Sequence, residues 1–317
     1  MSQTHRIIID ADTGIDDALA ILYAIHAPEI KLEGLTTTFG NTDVDQATDN
    51  TLRLLKLCGK ETEIPVAKGA AGPLKREYEG PVVNVHGHNG IGDAVIPKSD
   101  QQPLPVSAAE FLVRMANDNP GEITLVMVGR MTNLALALQM DPSIARKFKK
   151  VVIMGGTVLA PGNVTPVSEA NLWGDPEAAA AVFESEVPLT VVGLDVTMKT
   201  RLTYEHLHLL DRKAPERNKA MVQFLHDSLG VYFDFYRQSN YFAESCPLHD
   251  PLAVLVAVNP SLVKTQTFKA TIDCGHGLTA GMIVTDRRAR ATEGRDIQFC
   301  MEVDADRAVG QMLSAWL

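Results

Sequence analysis

Cysteine is scarce in this chain: Cys58, Cys246, Cys274 and Cys300 stand far apart, with no C-x-x-C pair among them. That spacing suits reduced, mostly buried thiols better than a zinc site or a disulfide framework. Long apolar runs are also missing. No stretch approaches the roughly 18 apolar residues that a membrane span needs, and the opening MSQTHR carries no apolar signal core. The expected setting is therefore the cytoplasm, with no membrane as partner. Positive charge is a third shortage: 29 Lys and Arg against 39 Asp and Glu give a formal net charge of −10. That sign argues against a nucleic-acid partner and leaves local carboxylate clusters able to hold a cation. Repeats, low-complexity tracts and domain-separating linkers are absent as well. A 45% hydrophobic, 21% charged chain of 317 residues then reads as one domain, 1–317, with a large core.

What is present is an alternation. Short apolar runs of strand type (RIIID, KLEGLTTTF, IPVA, ITLVMVG, KVVIMGG, PLTVVGLD) are separated by helical stretches such as DDALAILYAIHA and VDQATDNTLRLLKLC. Near-continuous apolar strands imply burial on both faces, and strand alternating with helix implies βαβ units. The expected fold is α/β, a doubly wound and mostly parallel sheet with helices on both faces. Beyond residue 200 the pattern shifts to helices near 203–211 and 215–237, a helix at HDPLAVLVAVN, a hairpin-like β pair and a last short helix. Two loops are unusually long, from Gly69 to Pro105 and from Gly155 to Pro176, and loops of that length usually serve as lids or binding loops.

In such a fold ligands bind outside the carboxyl ends of the strands. The first strand runs into DADTGIDD, four aspartates within eight residues: Asp10, Asp12, Asp16 and Asp17. Two unit charges about 4 Å apart repel by roughly 4 kcal/mol at an effective dielectric near 20. Asp16 and Asp17 open a helix, where capping and the macrodipole favour acids. Asp10 and Asp12 share one face of a strand end, where a buried carboxylate needs partners or a cation. Four acids with no nearby lysine point to a hard divalent ion with oxygen ligands, calcium or magnesium.

An apolar strand ending in D-x-D also opens the haloacid-dehalogenase phosphatases, but here Asp12 is followed by Thr13 and Gly14 and then by an Asp-Asp pair, which departs from that pattern. The spacing D-x-D-x-x-x-D-D resembles instead the N-terminal fingerprint of the inosine–uridine-preferring nucleoside hydrolases. GLTTTFGN, VHGHNGIG, VGRMTNLALAL, VVIMGG, NVTPVSEANLWGDPEAA, VVGLDVT and LHDPLAV continue the resemblance in order, from about Ile7 to Val254.

That resemblance implies hydrolysis of the N-glycosidic bond of ribonucleosides to free base and ribose, with a calcium ion gripping the ribose hydroxyls and the attacking water. It makes Asp12, Asp17, Asp250 and the backbone carbonyl of Val128 the metal ligands, and Asp12 also the base that takes the water's proton. Asp16, Asn41, Met154, Glu169 and Asn171 fall at ribose-binding positions, with Asp10 in support. His249 matches the leaving-group acid and His86 a contact near sugar or base, while His88 reads as a solvated loop residue. It also implies a homodimer or homotetramer. For Asn41, Glu169 and Asn171 plain loop hydrogen bonding is the competing reading, and for Met154 core packing. Asp141-Pro142, Asp175-Pro176 and Asp250-Pro251 all look like a helix N-cap followed by proline, and spacing alone does not separate the third. The segment FDFYRQSNYFAES lies where aromatic groups would meet the base; Arg237 falls near a position that is tyrosine in some relatives, and Trp173 either covers the base or packs. A non-catalytic nucleoside- or ribose-binding protein is the reading from a different class.

Overall fold

Ile7, Ile8 and Ile9 are consecutive, branched and apolar, and all three are fully buried. Each contributes about 2 kcal/mol of transfer free energy. In the computed structural model, which describes residues 4–239 and 244–317, they form the centre of β1 (His5–Ala11). Five further strands belong to the same parallel array: β2 (Ile30–Thr37), β3 (Val66–Lys68), β4 (Ile123–Met127), β5 (Lys150–Met154) and β6 (Leu189–Val192). Their hydrogen-bonded order is β6-β5-β4-β1-β2-β3. The chain winds outward from β1 through β2 and β3, then crosses to the other side of β1 and winds outward again. That reversal opens a crevice between the carboxyl ends of β1 and β4.

Helices close both faces. Ile7, Ile9 and Ala11 join one apolar cluster with helices Ile15–His26 and His249–Val258, while Ile8 joins a second with helices Ala108–Asp118 and Thr132–Met140. The strand pleat sends successive side chains into opposite cores. None of the described helices is long and apolar enough to cross a membrane.

The expected strand PLTVVGLD is shorter than its apolar run. It stops at Val192, because Gly193 caps the short helix Leu194–Thr197. The later helices are Tyr204–Lys213 and Lys219–Gln238. β7 (Arg201–Thr203) and β8 (Ser245–Pro247) pair antiparallel as a small separate sheet. The tail also differs from the expected β pair. It contains β9 (Val263–Ile272), β10 (Ile283–Asp286) and β11 (Arg295–Val303), with β9 antiparallel to both of the others. β11 pairs in parallel with β6, so the three extend the main sheet to nine strands among the described residues. Pairing β11 with β6 removes an edge that the fully buried β6 would otherwise expose. The helix Ala305–Trp316 follows. Each long loop contains one short helix, Val83–His86 in the first and Ala170–Gly174 in the second. All four cysteines are free thiols; Cys246 and Cys300 are buried as expected, but Cys274 is exposed in the turn after β9.

Candidate active site

The acids that follow β1 meet at the crevice. Gly14 is the N-cap of helix Ile15–His26, which puts Asp16 and Asp17 at its second and third positions. Asp17 Oδ2 accepts the Gly14 N–H at 2.9 Å, the reciprocal half of a capping box. The same oxygen accepts from the Asn41 side-chain amide at 2.9 Å, and Asp17 Oδ1 accepts the Asp12 N–H at 3.2 Å. Asn41, just past β2, also donates its backbone N–H to Asp12 Oδ2 at 2.7 Å. Asp10 lies deeper, with Oδ2 accepting from Thr36 Oγ1 at 2.5 Å and from Asn133 Nδ2 at 2.7 Å.

Asp250 arrives on a second helix, His249–Val258, and its place differs from the cap position its sequence suggests. Leu248 is the N-cap, so Asp250 is the second helical residue and Pro251 the third, where a missing N–H costs nothing. Asp141 and Asp175 are true caps, accepting from Ser143 N–H at 3.0 Å and Ala178 N–H at 3.1 Å. The two helix starts bring one oxygen each of Asp16, Asp17 and Asp250 within 4.8 Å of one another.

This carboxylate floor is under-compensated. Oδ1 of Asp10, of Asp12 and of Asp16 is buried with no hydrogen-bond partner. Burial pushes the Asp10 and Asp16 carboxyls up to about 7. It raises Asp12, Asp17 and Asp250 as well, and the charge of Asp17 adds to the rise at Asp12 and Asp250. Three converging carboxylates with unpartnered carboxylate oxygens among and beside them fit a hard divalent cation and no soft one. The triad brought closest is Asp16, Asp17 and Asp250, whereas the resemblance selects Asp12 rather than Asp16. Asp12 borders the triad with its free Oδ1. The Val128 carbonyl accepts from Asn171 Nδ2 at 2.6 Å and keeps a second lone pair.

One cation was not anticipated from the sequence. Arg130, 7% exposed, lies over the rings of Phe39 at 4.8 Å and Tyr78 at 5.7 Å, and it opposes the upward shift at Asp12. Its Nε and Nη1 are buried without partners. Glycine makes room for this arrangement: a Cβ on Gly174 would lie 1.7 Å from Arg130 Nε, and one on Gly40 1.7 Å from Asp12 Oδ2.

Opposite the acids stands a wall of rings. His86 Nδ1 accepts the Ile15 N–H at 3.1 Å, so its ring proton is on Nε2. His249 is held from both sides, by Thr197 Oγ1 at Nδ1 (2.8 Å) and by the Tyr236 hydroxyl at Nε2 (2.9 Å). Burial pushes both histidines down to about 3, helped by the neighbouring His249 at His86 and by Arg201 at His249. Tyr232 donates to Asp16 Oδ2 at 3.3 Å and packs edge-on against Tyr236. Tyr232 and Tyr236 stand one turn apart on helix Lys219–Gln238, and that i, i+4 aromatic pair was readable in the sequence. Arg237, next to Tyr236 on the same helix, is exposed and pairs with Asp234. Residues 240–243 of the same aromatic segment lie outside the described residues.

Between floor and wall lies a cavity of about 540 Å³, lined by Asp16, Asn41, His86, Val128, Met154, Glu169, Asn171, Trp173, His249 and Asp250 among others. The six substrate-binding residues expected from the sequence border it, as do His249, Asp250 and Val128, whereas Asp12 and Asp17 lie behind its lining. Glu169 also performs the bland role, capping helix Ala170–Gly174 by accepting from Asn171 N–H at 3.0 Å and Leu172 N–H at 3.4 Å, and it accepts the Gly156 N–H from the end of β5 at 2.7 Å. Met154 is buried and touches the Asn171 amide. His88 sits outside, exposed beside Asp93, as expected.

Residues 7–310 match the family described as inosine-uridine preferring nucleoside hydrolase. The chain belongs to that family. Among proteins similar to this nucleoside hydrolase is "Uridine nucleosidase 1" of Arabidopsis thaliana, 37% identical over 294 residues, which are 93% of this chain and 85% of the relative. A solved "Plant nucleoside hydrolase" superposes with a TM-score of 0.92 at 33% identity, covering 98% of both chains. A "Purine-Preferring Ribonucleoside Hydrolase" from Gardnerella vaginalis gives 0.90 at 35% identity, covering 98% of this chain and 97% of that one. The large, mostly parallel sheet of the hydrolase is shared with both, while the two names that state a base differ in which one.

Proposed function

We propose that this chain cleaves the N-glycosidic bond of ribonucleosides, purine or pyrimidine, to free base and ribose, and that it does so with calcium. One observation carries the reading: a single cavity joins an under-compensated carboxylate floor to a wall of buried histidines and tyrosines. Asp12, Asp17, Asp250 and the Val128 carbonyl would hold the ion, with Asp16 near enough to share it. When bound, the ion offsets the charge of the acids and makes a neighbouring water more acidic.

Asp12 takes the water's proton. Its Oδ2 is fixed by the Asn41 N–H, its Oδ1 is unpartnered, and burial raises its basicity. Asp16, Asn41, Met154, Glu169 and Asn171 orient the ribose, and His86 presents its Nε2–H to the sugar or base. Asp10 supports the floor from below. Positive charge develops on an oxocarbenium-like sugar as the C–N bond breaks, and the acids beneath it stabilise that charge. His249 serves the leaving base. It is neutral at pH 7 and paired at both ring nitrogens, so it would act as the leaving-group acid through the Tyr236 hydroxyl at Nε2, which accepts the ring N–H and gives its own proton to the departing base. Assembly as a homodimer or homotetramer and work in the cytoplasm complete the proposal; the free thiols fit a reducing compartment.

The test is a panel of inosine, uridine, cytidine and adenosine, read by free base and reducing sugar. Base release that a chelator abolishes and calcium restores supports the reading. Phosphate release from a nucleotide without base release supports a haloacid-dehalogenase-type phosphatase, which the family match does not favour. Tight ribose binding with no turnover supports a binding protein. Deoxyribonucleosides are expected to be poor substrates, and light scattering reads the oligomeric state.

A further inference from the structure

We propose that Asp195 is a positioning residue that holds the cavity wall 160–164 in its working place, an inference that rests on the hydrolase reading above. Asp195 is 5% exposed and lies in the first turn of the short helix Leu194–Thr197. Its Oδ1 accepts the N–H groups of Leu159 at 2.7 Å and Ala160 at 2.9 Å. Its Oδ2 accepts the Val158 N–H at 2.8 Å and meets the Thr157 hydroxyl at 3.3 Å. Three consecutive backbone donors thus converge on one buried carboxylate, and bonds to an ionised acceptor are the strong kind. Leu159 at the middle of the turn is 65% exposed, while Val158 and Ala160 pack at the edges of the two apolar clusters.

The next stretch is held by another means. The N–H groups of Asn163, Val164 and Thr165 all turn toward the Ser168 carbonyl. Residues 160–164, which line the cavity, therefore hang between the Asp195 carboxylate at one end and the Ser168 carbonyl at the other, with Asn163 Oδ1 also accepting the Ala170 N–H at 3.0 Å. The short helix that carries Asp195 ends at Thr197, which holds His249 Nδ1. Leu194 of that helix also borders the cavity. A four-residue turn after β6 thereby fixes the pocket wall and the imidazole relative to each other. Nothing in this arrangement places Asp195 against substrate, so its influence passes through the wall it holds.

Asp195→Asn keeps the shape but puts an amide N–H₂ where one carboxylate oxygen accepted backbone donors. Hydrogen exchange of amides 158–164 in the variant is expected to quicken by about tenfold or more while core amides keep their wild-type rates. KM for the best nucleoside is expected to rise about tenfold with kcat changed by less than about threefold, a split that a general loss of fold does not produce. Wild-type exchange in 158–164 overturns the proposal, and so does an unchanged KM on a loosened loop. Should Asp195→Asn fail to fold, Asp195→Glu keeps the carboxylate but moves both oxygens one carbon off the N–H groups of residues 158–160. Faster exchange there with a KM raised about twofold to fivefold supports the proposal, and wild-type values of both overturn it. Exchange is read without substrate, and if wild-type protein turns over no nucleoside, the hydrolase reading alone fails and ribose affinity replaces KM in the comparison.

Discussion

Stripped of divalent cations, the protein is expected to lose stability as pH rises, and Asp10 gives the cleanest measure of it. Burial lifts this carboxyl from 3.8 to about 7 in the folded chain. Between those values the folded state binds more protons than the unfolded one, so the unfolding free energy falls as pH increases. From pH 5 to pH 8 the loss from Asp10 alone is about 3 kcal/mol. With an unfolding entropy of about 2.1 cal/mol/K per residue, that is a fall in Tm of about 4 °C. The total slope mixes several groups: Asp16 acts in the same direction. His86 and His249, pushed down to about 3, act oppositely, since their neutral folded forms cost stability below about pH 6.5 and cease to cost above it. The diagnostic is therefore the difference between wild type and Asp10→Asn, in which an amide oxygen can still accept from Thr36 and Asn133 and no charge appears. Scanning calorimetry in chelator at pH 5, 6, 7 and 8 should show Asp10→Asn gaining about 3 kcal/mol on wild type across the range. Saturating calcium should shrink the gain, because the positive charge of a bound cation nearby favours the ionised Asp10 carboxylate. Parallel wild-type and Asp10→Asn curves in chelator would refute the argument, because they would mean that Asp10 is ionised in the folded protein at pH 5.

Removing the proposed base, Asp12→Asn, should lower kcat by about 10² to 10⁴ while leaving the fold intact, read by single-turnover base release and circular dichroism. His249→Ala should slow bases that need protonation to leave; equal turnover of every base in the panel would show the assignment to be wrong. Arg130→Met takes the buried cation away from Asp12 and Glu169, and should destabilise the chelator-treated protein by about 3 kcal/mol, more at pH 8 than at pH 5, in denaturant titrations. Thr197→Val leaves His249 Nδ1 without its partner and should lower kcat with KM nearly constant, measured on the same panel.

The parallel sheet was legible because its strands are buried on both faces and therefore written as unbroken apolar runs. The polar endings of those runs marked the crevice for the same reason: the topology leaves them nowhere else to face. Asp250 was harder. Its Asp-Pro pair resembles those at Asp141 and Asp175, and the difference is a two-residue shift of the helix start, which Leu248 sets and spacing does not reveal. Arg130 was illegible, since its place depends on two glycines, Gly40 and Gly174, distant in sequence and adjacent only once folded. The tail strands were misjudged because β11 alternates like an outer hairpin strand, while its partner β6 offers an edge that only the assembled sheet exposes.

Three acids of the floor, Asp16, Asp17 and Asp250, come from the first turns of two helices, Ile15–His26 and His249–Val258, which pack against one another and bring their amino ends together. Each helix start carries a partial positive charge of about half a unit from its aligned peptide dipoles. Part of the repulsion among Asp16, Asp17 and Asp250 is therefore met by backbone alone, before any ion or arginine contributes. This compensation is permanent and geometric, as an ion's is not, so the cluster can be assembled during folding and stand ready in its final shape. Ion binding then has little structure left to build, and losing the ion should switch the site off without dismantling it.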